Sequence, residues 1–121
     1  MKQTSTFQPV LSATTLIGDP VVNAAGEDLG KIEDFMLDLP NGRIRYGVLS
    51  FGGFLGMGDK LFTVPAEALK IDTKNHRLIL DIPKNRLESA PGFDKDHWPD
   101  TADVVWQNEV YEFYGYKPYW R

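Results

Sequence analysis

Three stretches of the chain hold residue types at spacings that chemistry could use. The run Gly52-Gly53-Phe54-Leu55-Gly56-Met57-Gly58-Asp59-Lys60 has the glycine density of a phosphate-binding loop. Such loops work because a helix follows the glycines and its first N–H groups point at the anion. Here Leu61-Phe62-Thr63-Val64-Pro65 reads as a strand, and no Lys-Ser or Lys-Thr closes the run. Phosphate binding therefore fails. The run reads as a connection that displays Phe54, Leu55 and Met57, apolar side chains that either fold back on the domain or meet a partner.

Glu27, Asp28, Glu33, Asp34 and Asp38 form an acidic stretch. Paired carboxylates do acid–base work when one is buried, but nothing in the pattern places two of them in an apolar pocket. They read as a solvated strand face and turn. In Asp94-Lys95-Asp96-His97-Trp98-Pro99-Asp100 the calcium-loop pattern needs an oxygen ligand where Trp98 stands and a glycine after it. That segment reads as a polar turn pinned by Phe93 and Trp98, with no metal. His76 and His97 are the two histidines, and no nucleophile motif flanks any serine. The expectation is a protein with no catalytic residues and no cofactor, not an enzyme.

The elements that position these residues follow from composition and period. The chain has 121 residues, 42% hydrophobic and 25% charged, which fits one globular domain. A net charge of −4 with scattered basic residues disfavours direct contact with nucleic acid. With no cysteine there is no disulfide framework and no thiolate. No apolar run is long enough to span a bilayer, and residues 1–7 lack the apolar stretch of a secretory signal. Cytoplasmic location is the expectation.

Pro20 to Asn23 is a short strand candidate, and Leu29 to Leu39 is the next. The apolar alternation of the latter slips phase between Ile32 and Phe35, which a strand accommodates through a bulge. Asn41-Gly42 is a hairpin signal leading into Arg43 to Phe51, with Ile44, Tyr46 and Val48 expected on one face and Arg43 and Arg45 on the other. Lys60 to Val64 follows, then at most one helical turn from Pro65. A second hairpin covers Lys70 to Ile82, and a short helix covers Lys84 to Ser89. Ser12 is placed to cap a helical lead-in through Leu16. Short strands at close spacing predict an all-β fold, a small antiparallel barrel.

After Ser89 the composition changes. Residues 93–121 hold nine of the 15 aromatics, including every tryptophan. Residues 103–114 predict a helix opened by Asp103 and closed by Gly115. Trp106, Val110, Tyr111, Phe113 and Tyr114 share a wide apolar face that Gln107 interrupts. A helix with that face has to cover something.

The order Leu16-Ile17-Gly18-Asp19-Pro20-Val21-Val22-Asn23, Gly26-Glu27-Asp28-Leu29-Gly30-Lys31-Ile32-Glu33-Asp34, Tyr46-Gly47-Val48-Leu49-Ser50-Phe51-Gly52-Gly53, Gly58-Asp59-Lys60-Leu61-Phe62 and Val64-Pro65 resembles the PRC-barrel family. The resemblance covers residues 12–88. It divides the chain into a lead-in (1–11), the barrel (12–88) and an acidic-aromatic extension (89–121). It implies a six-stranded barrel like the cytoplasmic domain of the photosynthetic reaction centre H subunit, and a non-catalytic role in protein contact or assembly. It also implies two alternatives: an accessory factor for an electron-transfer or membrane complex, and a ribosome-associated factor that binds protein. The chain is most similar to the stand-alone bacterial members.

The functional expectation is a self-associating interaction module, a homodimer with an unknown protein partner. Its candidate interface is Phe54, Leu55, Met57, Trp98, Trp106, Val110, Tyr111, Phe113 and Tyr114, because aromatic side chains anchor interfaces. If the helix stays on its own barrel it completes the core; if it crosses to another copy it builds a two-fold dimer.

Overall fold

A computed structural model describes residues 10–51, 60–94, 97–100 and 103–120. The elements in chain order are α1 (Ala13–Leu16), β1 (Pro20–Val22), β2 (Asp28–Asp38), β3 (Arg43–Phe51), β4 (Lys60–Pro65), a 3-10 turn (Ala66–Ala68), β5 (Leu69–Asp72), β6 (Arg77–Leu80), α2 (Lys84–Leu87), β7 (Gly92–Asp94) and α3 (Val104–Tyr114). Ser12 caps α1, its hydroxyl accepting from the Thr15 N–H at 3.3 Å.

The strands form one sheet in the order β5-β6-β1-β2-β3-β4-β7. This corrects the expected closed, six-stranded antiparallel barrel in three ways. The sheet has a seventh strand, β7, which pairs with β4. Its three residues include a single large apolar one, so no alternation announces it. It is a strand because β4 offers an open edge. The β1–β6 pair is parallel, a contact between segments far apart in the chain that local pattern does not encode. And β5 and β7 stand at opposite ends of the order, so among the described residues backbone pairing does not close the sheet.

The sheet still curls enough to enclose a core. Val21, Leu29, Ile32, Leu49, Phe51, Phe62, Val64, Leu78 and Leu80 point to its inner side, with Ile82 and Leu87 closing one end. Two register shifts in the β2–β3 pair help it bend. The first, between Ile32 and Asp34, lies where the sequence alternation slips. The second pairs Met36 with Tyr46 but Leu37 with Ile44, leaving Arg45 as the extra residue. That bulge corrects the expected facing of β3. Tyr46 and Val48 are buried, whereas Ile44 is 36% exposed.

β3 is buried from Tyr46 onward and β4 from Leu61 onward, with Val48, Leu49, Ser50 and Phe51 buried in succession. Alternate residues face opposite sides of a strand, so this run means that both faces of the sheet are covered. Leu49, Phe51, Phe62 and Val64 belong to the inner core. Tyr46, Val48 and Leu61 belong to an outer layer that α3 covers.

Both hairpins turn on the same local device. Asp38 Oδ1 accepts from the Asn41 N–H (3.2 Å) and Oδ2 from Asn41 Nδ2 (2.8 Å). Asp72 treats Asn75 the same way, at 3.2 and 2.8 Å. In each case the next residue, Gly42 or His76, takes positive φ, and an arginine starts the returning strand. Side-chain carboxylates that close a turn on backbone N–H groups favour aspartate at its first position.

Gly30 marks the tightest approach between strands. Its φ is +114°, and a Cβ there would stand 2.1 Å from the Ser50 carbonyl oxygen. Gly30→Ala is expected to destabilise the protein by about 3 kcal/mol, because both the conformation and the space exclude a side chain. Gly42→Ala, at φ +63° with open space around it, is expected to cost only about 1 kcal/mol. Urea unfolding of the two variants beside the wild type checks the difference.

Candidate interaction surface

The aromatic helix is positioned by its own ends. Asp103 Oδ1 accepts from the Val105 N–H at 2.9 Å. At the other end Gly115, in the left-handed conformation, donates its N–H to Glu112 O at 3.1 Å. Between these caps α3 lies across the outer face of β3 and β4 of its own chain. Val110 and Tyr111 are fully buried against Tyr46. Trp106 packs on Val48, Leu61 and Phe93, with ring centroids 6.0 Å from Tyr46 and 6.5 Å from Phe93. Phe113 and Tyr114 reach the rim of the inner core. Five residues expected at an interface are thus packed within the chain.

Gln107, which interrupts the apolar face in sequence, is only 4% exposed. Its Oε1 accepts from Arg45 Nη1 at 2.6 Å. Arg45 also donates through Nη2 to Asp38 Oδ2 at 2.7 Å, and its guanidinium stacks 3.9 Å from the Trp120 ring centroid. Tyr119 donates its hydroxyl to Asp38 and accepts from Arg45 Nε at 3.4 Å. Arg43 lies over the Tyr119 ring at 3.7 Å. The Tyr111 hydroxyl shares its one proton between Arg45 O (3.0 Å) and Glu67 Oε1 (2.9 Å).

These contacts correct two sequence expectations. Asp38 is not part of a solvated acidic face, because its side chain is closed off from solvent. Arg45, expected on the strand face opposite Tyr46, reaches the same α3 side and joins the helix to the hairpin. The bonds from Tyr119, Arg45 and Asn41 stabilise the ionised carboxylate and hold the Asp38 pKa far below the usual range, outweighing the opposing effect of burial. Glu27, Asp28, Glu33 and Asp34 are exposed, as the sequence implied.

Magnitudes separate the roles. Each fully buried side chain such as Val110 or Tyr111 contributes about 1.5–3 kcal/mol, whereas a hydrogen bond contributes about 1 kcal/mol net. Burial drives the docking of α3, and the polar network chooses where along the sheet it docks.

The remaining candidates fall elsewhere. Phe54, Leu55 and Met57 lie outside the described residues. Trp98 is 41% exposed and packs one face on Phe93, with ring centroids 4.9 Å apart. His76 and His97 are exposed, and among the described residues no three His, Asp or Glu side chains gather as a metal site. What sequence reasoning missed is the end of the β2–β3 hairpin. Leu37 is 64% exposed, Leu39 79% and Ile44 36%, and Leu37 pairs directly across from Ile44. The bulge at Arg45 turns Ile44 away from Tyr46, and only the paired register reveals it.

A carboxylate whose pKa is depressed on folding contributes stability above its unfolded pKa and loses it as pH falls toward the folded value. Asp38→Asn mimics the protonated group. The stability gap between wild type and Asp38→Asn is therefore expected to be widest near neutral pH and to narrow steadily below about pH 4. Urea unfolding of both proteins at stepped pH values measures the gap.

Residues 9–87 match the model of the PRC-barrel domain. Among solved structures, one similar chain is described as a 16S ribosomal RNA processing protein, RimM, from Pseudomonas aeruginosa. It is 19% identical with a TM-score of 0.43, over 64% of this chain and 47% of that one. The match therefore spans under half of that neighbour's length. No curated protein matches the sequence, and no described helix is long and apolar enough to cross a membrane. The family match runs through α1, β1 to β6 and α2, well over half of the sequence, and on that ground the chain belongs to the PRC-barrel domain family.

Proposed function

We propose that this chain is a non-catalytic protein-interaction module of the cytoplasm, and that it docks through the end of the β2–β3 hairpin. One observation carries the reading: at that end Leu37 (64%) and Leu39 (79%) have most of their surface in water, and Leu37 pairs across from Ile44, which is 36% exposed. Single exposed apolar residues are ordinary, but a cross-strand pair extended by a third at the turn is the kind of patch that marks contact sites. The hairpin is also well fixed. Asp38 closes its turn, and Arg45 ties it to α3 and the C-terminal segment. A rigid apolar end gives up little conformational freedom on binding.

Self-association is the form of this reading that the purified protein tests directly. Because α3 is committed to its own sheet, a dimer built by exchanging that helix would first have to strip Val110 and Tyr111 from the core. A two-fold contact through the hairpin needs no such unpacking.

Sedimentation equilibrium at high micromolar concentration is expected to show dimer for the wild type and monomer for the Leu37→Glu/Leu39→Glu double variant. A wild-type monomer removes self-association. Crosslinking in native extract then compares wild type with the same variant, and equal yields from the two exclude the hairpin as a docking surface.

A further inference from the structure

Beyond α3 the chain doubles back as a strap. Gly115, at φ +81°, turns it off the helix end, and the Tyr116 N–H donates to Tyr111 O at 3.0 Å. After that, among the described residues, the main chain of 117–120 makes no hydrogen bond to another main-chain group. The strap also stands away from the helix. A cleft of about 490 Å³ is lined both by Val105, Asn108 and Glu112 of α3 and by Tyr116, Lys117 and Pro118 of the strap.

What holds the end of the strap is side-chain contact. The Tyr119 hydroxyl bonds to Asp38 and Arg45, and its ring lies under the Arg43 guanidinium at 3.7 Å. The Trp120 ring lies under the Arg45 guanidinium at 3.9 Å and meets Tyr111 edge-on, with ring centroids 4.9 Å apart. Asp38, Arg43 and Arg45 all belong to the β2–β3 hairpin. Charge-assisted bonds and cation–π contacts of this kind need an aromatic pair in the right geometry. They do not depend on which chain carries it.

We propose that the strap is exchangeable: in a pair of chains, Tyr119 and Trp120 of one close on Asp38, Arg43 and Arg45 of the other. The inference rests on self-association through the hairpin and names the segment that clasps the pair. The occupant follows from the structure, because the segment seated on the hairpin within one chain is present, identical, in every second copy. Each contact given up within a chain is regained between chains, so exchange has little net cost. Swapping the strap alone leaves Val110 and Tyr111 packed on their own sheet, which exchange of the helix would not. The four residues from Tyr116 to Tyr119 reach at most about 14 Å. The hairpin of a second copy comes within that reach only when the two hairpins lie side by side. The exposed Leu37 and Leu39 bring them together, and the straps then cross.

The test mixes isotope-labelled and unlabelled full chain at high micromolar concentration and records isotope-filtered NOEs. The expected result is contact between the Trp120 ring protons of one chain and the Arg45 side chain of the other. Tyr119→Phe removes the Asp38 bond from the closed and the exchanged forms alike, while the strap still has to open before two chains part. It is therefore expected to leave the dimer Kd within about twofold and to speed the mixing of labelled with unlabelled chains about fivefold, the worth of one net hydrogen bond. Absence of interchain contacts, or a mixing rate that Tyr119→Phe leaves unchanged, would each overturn the proposal. Sedimentation of the same sample separates the two readings. A dimer without interchain strap contacts removes exchange alone, and a monomer removes self-association and exchange with it.

Discussion

The outer face of β3 and β4 cannot stand in water. Tyr46, Val48 and Leu61 project from it, and the strands that carry them already bury their other face in the core of the curled sheet. The packing of α3 onto this second face is the contact on which the remaining structure depends. It turns a sheet with one buried side into a two-layer fold, and it engages the aromatic content of the C-terminal segment. A domain of this length gains much of its stability from such a layer, because a small core has limited area to remove from water.

Once the helix is docked, the polar network has a defined place. Arg45 reaches one way to Gln107 on the helix, another way to Asp38 in the hairpin turn, and stacks on Trp120 beyond the helix end. A single side chain thereby fastens three separate segments. Charge-assisted hydrogen bonds in a sheltered site are directional, so the network selects one register among the many that an apolar face alone would permit. The same fastening stiffens the hairpin whose tip stays apolar and exposed. Stability in the outer layer and a rigid surface at the hairpin end are two consequences of one arrangement.

Burial on both sides of β3 and β4 also explains where pattern reading misleads. Alternation is a signal of half-buried strands. Leu78 and Leu80 on β6 follow it, and Ile32 and Phe35 on β2 break it at the bulge. Val48, Leu49, Ser50 and Phe51 show no alternation of burial, because the covering helix is remote in sequence. Gln107 was visible as a polar interruption, and its position opposite Arg45 could be known only from the packed structure. Asp38 was one of five acidic residues of similar appearance, and the turn it closes separates it from Glu33 and Asp34, which stay in water.

The sequence by itself determined the local structure of this protein. The strand positions, the phase slip in β2, the Ser12 and Asp103 caps, the Gly115 stop and the family all rest on interactions within a few residues or on ordered short motifs. Tertiary structure alone decided the parallel pairing of β1 with β6, the addition of β7, the docking of α3 on its own sheet, and the burial of Asp38 beside Arg45. The first three join segments distant along the chain, and Asp38 and Arg45, neighbours in one hairpin, are buried by Gln107 and Tyr119 from far along it. Such contacts form where area can be removed from water and buried polar groups can be paired, and neither condition is written in the residues on one side of the contact.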